Sequence, residues 1–205
     1  MEKNMKLYYT PGACSLSPHI VLCELGLPHQ TEKVDLKAHT TAAGTDFYSI
    51  NPKGYVPLLQ LDNGQGLTEG PAIVQYLADQ KPEAGLLPPV GSLERARVQE
   101  WLNFIGTELH KNFSPLFNPN SPDQAKDYAR STIGKRLAYI DKSLAGKNYL
   151  TGDRFCVADA YLFTIANWTA MMEIDLSPYP AVQAFQKRVA ARPKVQEAMK
   201  AEGLI

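Results

Sequence analysis

The sequence predicts an N-terminal α/β domain followed by an all-α helical domain. Segments that favour strands and helices alternate over roughly the first eighty residues. A segment at 83–91 then brings Pro88, Pro89 and two glycines together, which is typical of a stiff linker. Beyond it, apolar residues recur only at helical spacing. We therefore place the α/β domain at residues 1–82, the linker at 83–91 and the helical domain at 92–205.

The first domain begins with a strand and a helix that are separated by a proline and a glycine. Residues 6–10 favour a strand, Pro11-Gly12 ends it, and residues 15–25 follow a helical pattern. Two further strands are predicted at 31–36 and 56–62. The turn signal Asp62-Asn63-Gly64 predicts an antiparallel strand at 66–68, and a helix follows at 71–81.

The second domain is predicted to be helical throughout. Ser92 can cap a helix whose apolar stripe is formed by Val98, Trp101, Leu102, Ile105 and Leu109. A second helix at 122–144 should bury Ile133, Leu137, Ile140 and Leu144. A third, at 157–172, is apolar almost all round and should form the core. Helices at 179–191 and 193–201 complete the prediction.

Charge and composition favour a small ligand over a nucleic acid or a membrane. Lys plus Arg total 21, and Asp plus Glu total 21, so the chain lacks the broad basic field that nucleic acids and anionic membranes attract. Residues 1–4 precede Met5, and no apolar run long enough for a signal sequence or membrane span follows. We expect a cytoplasmic protein with no nucleic-acid or membrane partner.

The three cysteines are predicted to be free thiols. Cys14, Cys23 and Cys156 are odd in number and widely spaced, which fits neither a disulfide framework nor a CxxC metal site. We therefore predict no metal site. Cys23 lies about half a helical revolution from Cys14 and is interpreted as structural.

A candidate reactive thiol lies in the strand-to-helix turn. Cys14 is predicted at or near the first helical residue, where unpaired N–H groups and the helix dipole stabilise a thiolate and lower its pKa. The alternative is a small buried cysteine without a chemical role. Ser17 stands where a CxxC motif would have its second cysteine, so Cys14 could bond to a small thiol instead.

Two further motifs suggest an extended peptide ligand with an amino-acid end. A cis bond before Pro57 would turn the Val56 N–H and C=O outward to pair with such a ligand; an edge-strand proline is the alternative. At Glu69-Gly70-Pro71 a helix N-terminus could bind a carboxylate while Glu69 holds an ammonium. An ordinary solvated acid is the alternative for Glu69.

Three residues of the first long helix of the second domain form a separate face. Asn103, Gly106 and His110 are spaced at i, i+3 and i+7, and Gly106 would allow close approach by the other domain. His110 could then reach the thiol and transfer protons. A histidine hydrogen-bonded at a domain interface is the alternative.

These motifs resemble the bacterial beta class of glutathione transferases. The resemblance rests on KLYYTPGACSLSPHIVL, NPKGYVP, LTEGPAIVQYLAD, WLNFIGTELHK and VADAYLF, and it extends from Met5 to Ile205. It implies a thioredoxin-like first domain, a helical second domain, a homodimer, and glutathione as co-substrate without another cofactor. The expected activity is conjugation of glutathione to a small hydrophobic electrophile, with thiol-transferase or reductive dehalogenation chemistry through Cys14 as a related hypothesis.

The resemblance assigns roles to individual residues. It implies that Val56 pairs with the cysteinyl backbone of glutathione, that Glu69 and Gly70 hold its γ-glutamyl end, and that Cys14 lies beside its sulfur. The predicted catalytic residues are Cys14, His110, Ser15 and Tyr9. The predicted glutathione-binding residues are Lys37, His39, Tyr55, Val56, Pro57, Glu69, Gly70 and Asn103. The electrophile pocket is expected to include Phe113, Phe117 and Trp168, although these aromatics could equally be core.

Two positions depart from the family pattern. A basic residue usually follows the second strand and meets the glycyl carboxylate, whereas this chain offers Lys37 or His39. Cys156 replaces the usual Ser or Thr cap of the third helix, which should cost on the order of 1 kcal/mol. A function from another class, a non-catalytic module that binds apolar ligands or a protein, is less consistent with the presence of Cys14, Val56-Pro57, Glu69 and His110 together.

Overall fold

A computed structural model of the chain describes residues Met5–Ile205. Residues 1–4, where the predicted first domain starts, lie outside the described residues. The chain forms two compact units: one ends at Gly85 and also includes Ala191–Ile205, and the other is Leu86–Ala190. The sequence prediction assigned the last fifteen residues to the helical domain, whereas the structure groups Ala191–Ile205 with the first unit.

The first unit contains a mixed five-stranded sheet in the order β3-β2-β1-β4-β5. Its strands are β1 (Met5–Tyr9), β2 (His29–Asp35), β3 (Thr40–Thr41), β4 (Leu58–Gln60) and β5 (Gly66–Thr68). β1 runs parallel to β2 and antiparallel to β4, with Leu7 opposite Thr31 and Leu59. Leu7 and Leu59 are fully buried, so burial on the central strands fixes this register.

The helices follow in chain order. They are α1 (Leu16–Leu25), α2 (Gly70–Asp79), α3 (Leu93–Phe104), α4 (Ser114–Phe117), α5 (Asp123–Leu144), α6 (Val157–Ala166), α7 (Trp168–Met171), α8 (Pro180–Ala190) and α9 (Pro193–Ala201). Short 3₁₀ turns occupy Phe47–Ser49, Pro82–Ala84 and His110–Phe113, and a π-helical turn occupies Ile105–Leu109. Together with the sheet, these helices confirm the predicted fold class, an α/β thioredoxin-like part plus an all-helical part.

The last helix belongs to the first unit because it packs on α1. Arg192, just before α9, donates to both carboxylate oxygens of Glu24 at 2.7 and 2.9 Å. Beyond α9, the buried carboxylate of Glu202 contacts Nδ1 of His19 at 2.9 Å. The sequence prediction missed this association because the two residues of each pair are more than 160 residues apart along the chain.

Most of the predicted elements are present, with different bounds where local geometry intervenes. The third predicted strand begins only at Leu58, because Pro57 has no N–H for the ladder, and it ends at Gln60. The Val56–Pro57 bond is cis. The strand β3 was not predicted. The helix predicted at 157–172 is interrupted at Asn167, which lies between α6 and α7.

The second unit is organised around α6. All ten residues of α6 are buried, which confirms the prediction that it forms the core, and the predicted inward-facing residues of α5 are buried as well. The Asp159 carboxylate accepts hydrogen bonds from the backbone N–H of Cys156 at 2.8 Å and of Leu150 at 2.9 Å. The N-terminus of α6 is therefore held by Asp159, and the stability cost of Cys156 at the cap stays a prediction. No helix among residues 5–205 is long and apolar enough to cross a membrane.

Candidate active site

The turn between β1 and α1 holds Cys14 against the segment before β4. The Cys14 thiol donates to the carbonyl oxygen of Val56 at 3.3 Å. The helix begins at Leu16 with Ser15 as its N-cap residue, so Cys14 lies just before the helix. The structure thus brings two of the sequence motifs, the cysteine turn and the Val56-Pro57 segment, into direct contact.

The electrostatic surroundings of Cys14 differ from the sequence expectation. Desolvation raises the pKa of the thiol to about 12, and the backbone N–H groups of Cys14 and Ser15 offset only part of this effect. The Glu69 carboxylate raises the pKa further. The prediction that the helix N-terminus lowers the pKa of Cys14 is therefore wrong, because burial outweighs the dipole. The thiol is neutral at physiological pH.

We expect Cys14 to react slowly with iodoacetamide at pH 7.5, at least about 100-fold more slowly than in the urea-unfolded chain. A pKa near 12 leaves the neutral thiol dominant below that pH, so the labelling rate should rise about tenfold per pH unit between pH 7 and 10. Peptide mass mapping identifies the labelled cysteine and measures its labelling rate. Folded and unfolded rates within tenfold of each other would contradict the elevated pKa.

The other two proposed catalytic residues of this unit have different surroundings. The buried Ser15 hydroxyl donates to the Thr10 carbonyl and accepts from the Thr10 N–H, both at 3.2 Å. The Ser15 hydroxyl proton is therefore used in the hydrogen bond that closes the turn. A catalytic role would need the same proton. Tyr9 is half-buried at the end of β1, and burial raises the pKa of its phenol. The Ser17 side chain is buried and makes no hydrogen bond within the described chain.

The third motif is joined to the second by side-chain hydrogen bonds. The Tyr55 hydroxyl donates to Glu69 Oε1 at 2.9 Å. Lys53 Nζ donates to the same oxygen at 2.6 Å and to Thr68 Oγ1 at 2.9 Å. Lys53 and Thr68 were missed by the sequence prediction, although Lys53 lies within the NPKGYVP motif. Cys14, Val56, Tyr55 and Glu69 thus form one continuous group of contacts.

Glu69 is the N-cap residue of α2 and has a left-handed backbone, with φ 69°. A non-glycine residue in this region is strained, and such strain is concentrated at functional sites. The helix starts at Gly70 with Pro71 in its first turn, close to the prediction. Its N-terminus can bind a carboxylate while the Glu69 side chain accepts from a cation.

The two candidates for the glycyl carboxylate contact lie in different settings. Lys37 is exposed, and its backbone N–H donates to Asp35. His39 Nδ1 donates to the Gly54 carbonyl at 3.1 Å, and its ring stacks on Tyr48 at 4.5 Å. His39 is therefore attached to the loop that precedes Val56. With Nδ1 used in this way, Nε2 offers an N–H to a carboxylate only in the protonated ring.

The proposed residues of the second unit form an aromatic cluster. Trp168 contacts His110, Phe113 and Phe117, with ring centroids 4.8, 5.5 and 5.0 Å away. Phe113 is fully buried, whereas Phe117 is 45% exposed. Phe113 is thus part of the core, while Phe117 presents an accessible aromatic surface. The structure brings the three proposed pocket residues together with His110.

His110 is oriented by a partner that the sequence prediction missed. Its Nδ1 lies 2.6 Å from the hydroxyl of Tyr161 on α6. A Cβ atom at Gly106 would lie 3.6 Å from the same hydroxyl, so Gly106 lies beside Tyr161 of its own unit, and the approach by the other domain stays a prediction. The π-helical turn at Ile105–Leu109 also changes the helical spacing between Asn103, which is exposed, and His110.

The turn that contains Cys14 is hydrogen-bonded to the C-terminal segment. Glu202 Oε2 accepts from the backbone N–H of Gly12 at 2.9 Å, while its Oε1 contacts His19. Gly12 has φ 70°, a conformation that glycine adopts without steric cost. Nothing in the local sequence around Gly12 indicates this partner.

The sequence matches two family descriptions. Residues 12–80 match "Glutathione S-transferase, N-terminal domain" and residues 104–193 match "Glutathione S-transferase, C-terminal domain". Glutathione S-transferase GstA of Escherichia coli O157:H7 is 48% identical over 200 residues, covering 98% of this chain and 100% of that protein.

Solved structures agree with the sequence matches. A sphingomonad glutathione S-transferase complexed with glutathione is 49% identical with a TM-score of 0.93, covering 98% of this chain and 100% of that chain. The bacterial beta-class glutathione S-transferase of Sphingomonas chungbukensis is 49% identical with a TM-score of 0.94 and the same coverage. This chain therefore belongs to the glutathione S-transferase family, in its bacterial beta class.

Proposed function

We propose that this glutathione transferase conjugates glutathione to small hydrophobic electrophiles at a site in which Cys14, Val56 and Glu69 hold the tripeptide. The observation that carries the proposal is the continuous group of contacts from the Cys14 thiol, through Val56 and Tyr55, to Glu69. An extended tripeptide needs backbone pairing at its centre and charged partners at its ends, and this group offers the backbone pairing and the charged partner at one end.

The centre of the site suits the cysteinyl residue of glutathione. A carbonyl oxygen has two lone pairs, so Val56 can accept from a cysteinyl N–H while it still accepts from Cys14. The glutathione sulfur would then lie beside Cys14. In the proposed reaction the glutathione thiolate forms the new bond to an electrophilic carbon, the leaving group departs with the bonding electron pair, and the thiol proton is released.

The Glu69 end suits the γ-glutamyl ammonium and carboxylate. The Lys53–Glu69 ion pair is half-exposed on both sides, and exposed ion pairs contribute little to stability. A ligand ammonium can therefore take the place of Lys53 at Glu69 at small cost. The released Lys53 amine and the N-terminus of α2 then suit the ligand carboxylate. For the glycyl carboxylate we retain Lys37 and His39 as the two proposals.

The electrophile is proposed to contact the aromatic cluster of the second unit. Phe117 offers exposed aromatic surface, and the hydrogen bond between the Tyr161 hydroxyl and Nδ1 would orient the ring of His110 for proton transfer. The same proposal includes a linker between residues 82 and 92, a homodimer, a cytoplasmic location and a role in detoxification.

Turnover tests the proposal. The purified chain is mixed with glutathione and a panel of chlorinated aromatics, epoxides and mixed disulfides, while calorimetry measures glutathione binding. Conjugation of at least one chlorinated aromatic or epoxide is the expected result. Glutathione binding with no turnover on any substrate would favour a non-catalytic module that binds apolar ligands or a protein partner.

The contact between Cys14 and Val56 supports a second candidate, thiol transfer through a mixed disulfide. The Cys14 thiolate would attack one sulfur of oxidised glutathione, and the second glutathione would leave as a thiolate that takes up a proton. Because the pKa of Cys14 is about 12, we expect the adduct to form slowly at pH 7.5 and faster at pH 9. Intact mass should show an adduct removed by dithiothreitol, and its absence at both pH values would exclude this candidate.

A further inference from the structure

Three potential metal ligands meet in the first unit, two of them on α1, the helix that also contacts the C-terminal segment. His19 and Cys23 are four residues apart on α1, and His29 begins β2. One ligand atom from each of the three lies within 4.8 Å of the other two. His19 and Cys23 are 2% and 4% exposed, whereas His29 is half-buried. His29 therefore provides the side from which an ion could enter.

The hydrogen bonds of the two imidazoles match those of metal-binding histidines. His19 Nδ1 contacts the buried carboxylate of Glu202 at 2.9 Å, and His29 Nδ1 donates to the Leu27 carbonyl at 2.8 Å. A metal-bound histidine almost always donates its other ring N–H to a carboxylate or a backbone carbonyl. With both Nδ1 atoms engaged, Nε2 of each ring is the nitrogen that remains to bind a metal.

The spacing is within reach of a tetrahedral zinc site. Zn–N bonds of about 2.0 Å and Zn–S bonds of about 2.3 Å place tetrahedral ligand atoms roughly 3.3 to 3.7 Å apart. Ligand atoms within 4.8 Å of one another therefore need to approach by about 1.5 Å at most. The rings of His19 and His29 already meet edge to face, with centroids 5.5 Å apart.

We propose that His19, Cys23 and His29 bind one Zn²⁺ ion through Nε2, Sγ and Nε2, with water as the fourth ligand. Two imidazoles and one thiolate form a donor set that suits this borderline-soft cation. As the Sγ–Zn bond forms, the Cys23 thiol releases its proton to solvent. The proposed site revises the interpretation of Cys23 as structural, and it differs from the glutathione site, which uses none of these three residues.

Zinc binding to the full-length reduced chain tests the proposal. Competition with a chromophoric chelator should give one Zn²⁺ per chain, and Co²⁺ should produce a thiolate-to-metal charge-transfer band. His29→Gln should weaken zinc binding by more than about 100-fold and abolish the band, since losing a ligand exceeds the 10- to 100-fold cost of losing a ligand's hydrogen-bond partner. Glu202→Gln should weaken it by about 10- to 100-fold.

Two further variants keep the result interpretable. Cys23→Ala should abolish the charge-transfer band, whereas Cys156→Ala, which removes another buried thiol, should keep both the band and the zinc stoichiometry. His29 is half-buried, so its variant tests the site even where Cys23→Ala fails to fold. The proposal is overturned where wild type and His29→Gln bind zinc equally, or where Cys14→Ser rather than Cys23→Ala removes the band.

Discussion

Replacing Asp159 with alanine is expected to lower the free energy of unfolding by about 3 kcal/mol or more. The fully buried carboxylate accepts from two backbone N–H groups, those of Cys156 and Leu150. Each buried N–H that loses its acceptor costs about 1 to 3 kcal/mol. In a chain of this size, that loss corresponds to a melting temperature lower by about 6 to 12 °C in calorimetry.

The exposed Asp127 on α5 provides the matched control. It has the same side chain in the same unit, and Asp127→Ala should change stability by no more than about 0.5 kcal/mol. Asp159→Asn tests the hydrogen bonds separately, because its amide keeps one acceptor oxygen while losing the charge. A melting temperature for Asp159→Ala within 2 °C of the control would refute this account of the α6 N-terminus.

Replacing Glu69 with alanine is expected to weaken glutathione binding by about 10- to 100-fold. The proposed site uses the Glu69 carboxylate as the acceptor for the γ-glutamyl ammonium. A hydrogen bond to a charged group contributes about 1.5 to 3 kcal/mol, and each 1.4 kcal/mol corresponds to about tenfold in affinity. Titration calorimetry with glutathione measures the change, and the KM for glutathione should rise in parallel.

Glu69→Gln separates charge from packing at the same position. Its carbonyl oxygen can still accept from Tyr55, so a loss of affinity similar to that of Glu69→Ala would indicate that the charge matters most. Glu83→Ala, an exposed acid in the same unit, should bind glutathione like wild type. Unchanged affinity in both Glu69 variants would contradict the assignment of Glu69 to the γ-glutamyl end.

The parts of the site that the sequence predicted are those whose chemistry lies within a few residues. The cis bond before Pro57 and the helix start beside Glu69 both depend on neighbouring prolines and glycines, and both are present. The buried face of α5 could likewise be read from apolar spacing. In each case the local sequence contains all the groups that determine the conformation.

The features that the sequence did not predict depend on residues that are distant along the chain. Desolvation sets the direction of the Cys14 pKa shift. It depends on how deeply the folded chain buries the thiol, which the sequence of the turn does not reveal. The backbone N–H of Leu150, nine residues before Asp159, donates to the same carboxylate as the N–H of Cys156. His29 lies on β2, whereas His19 and Cys23 lie on α1, so a search for metal-ligand spacing within one element could not find this group.

Glu202 has a consequence for recombining this protein with its relatives. Its carboxylate holds the backbone of Gly12, two residues from Cys14, and it lies in the segment Ala191–Ile205 that groups with the first unit. In a chimaera with a single crossover near residue 85, the turn that contains Cys14 would therefore come from one parent and Glu202, which stabilises it, from the other. Exchanging the helical part as a cassette requires two junctions, with the C-terminal fifteen residues inherited from the parent that supplies the thiol.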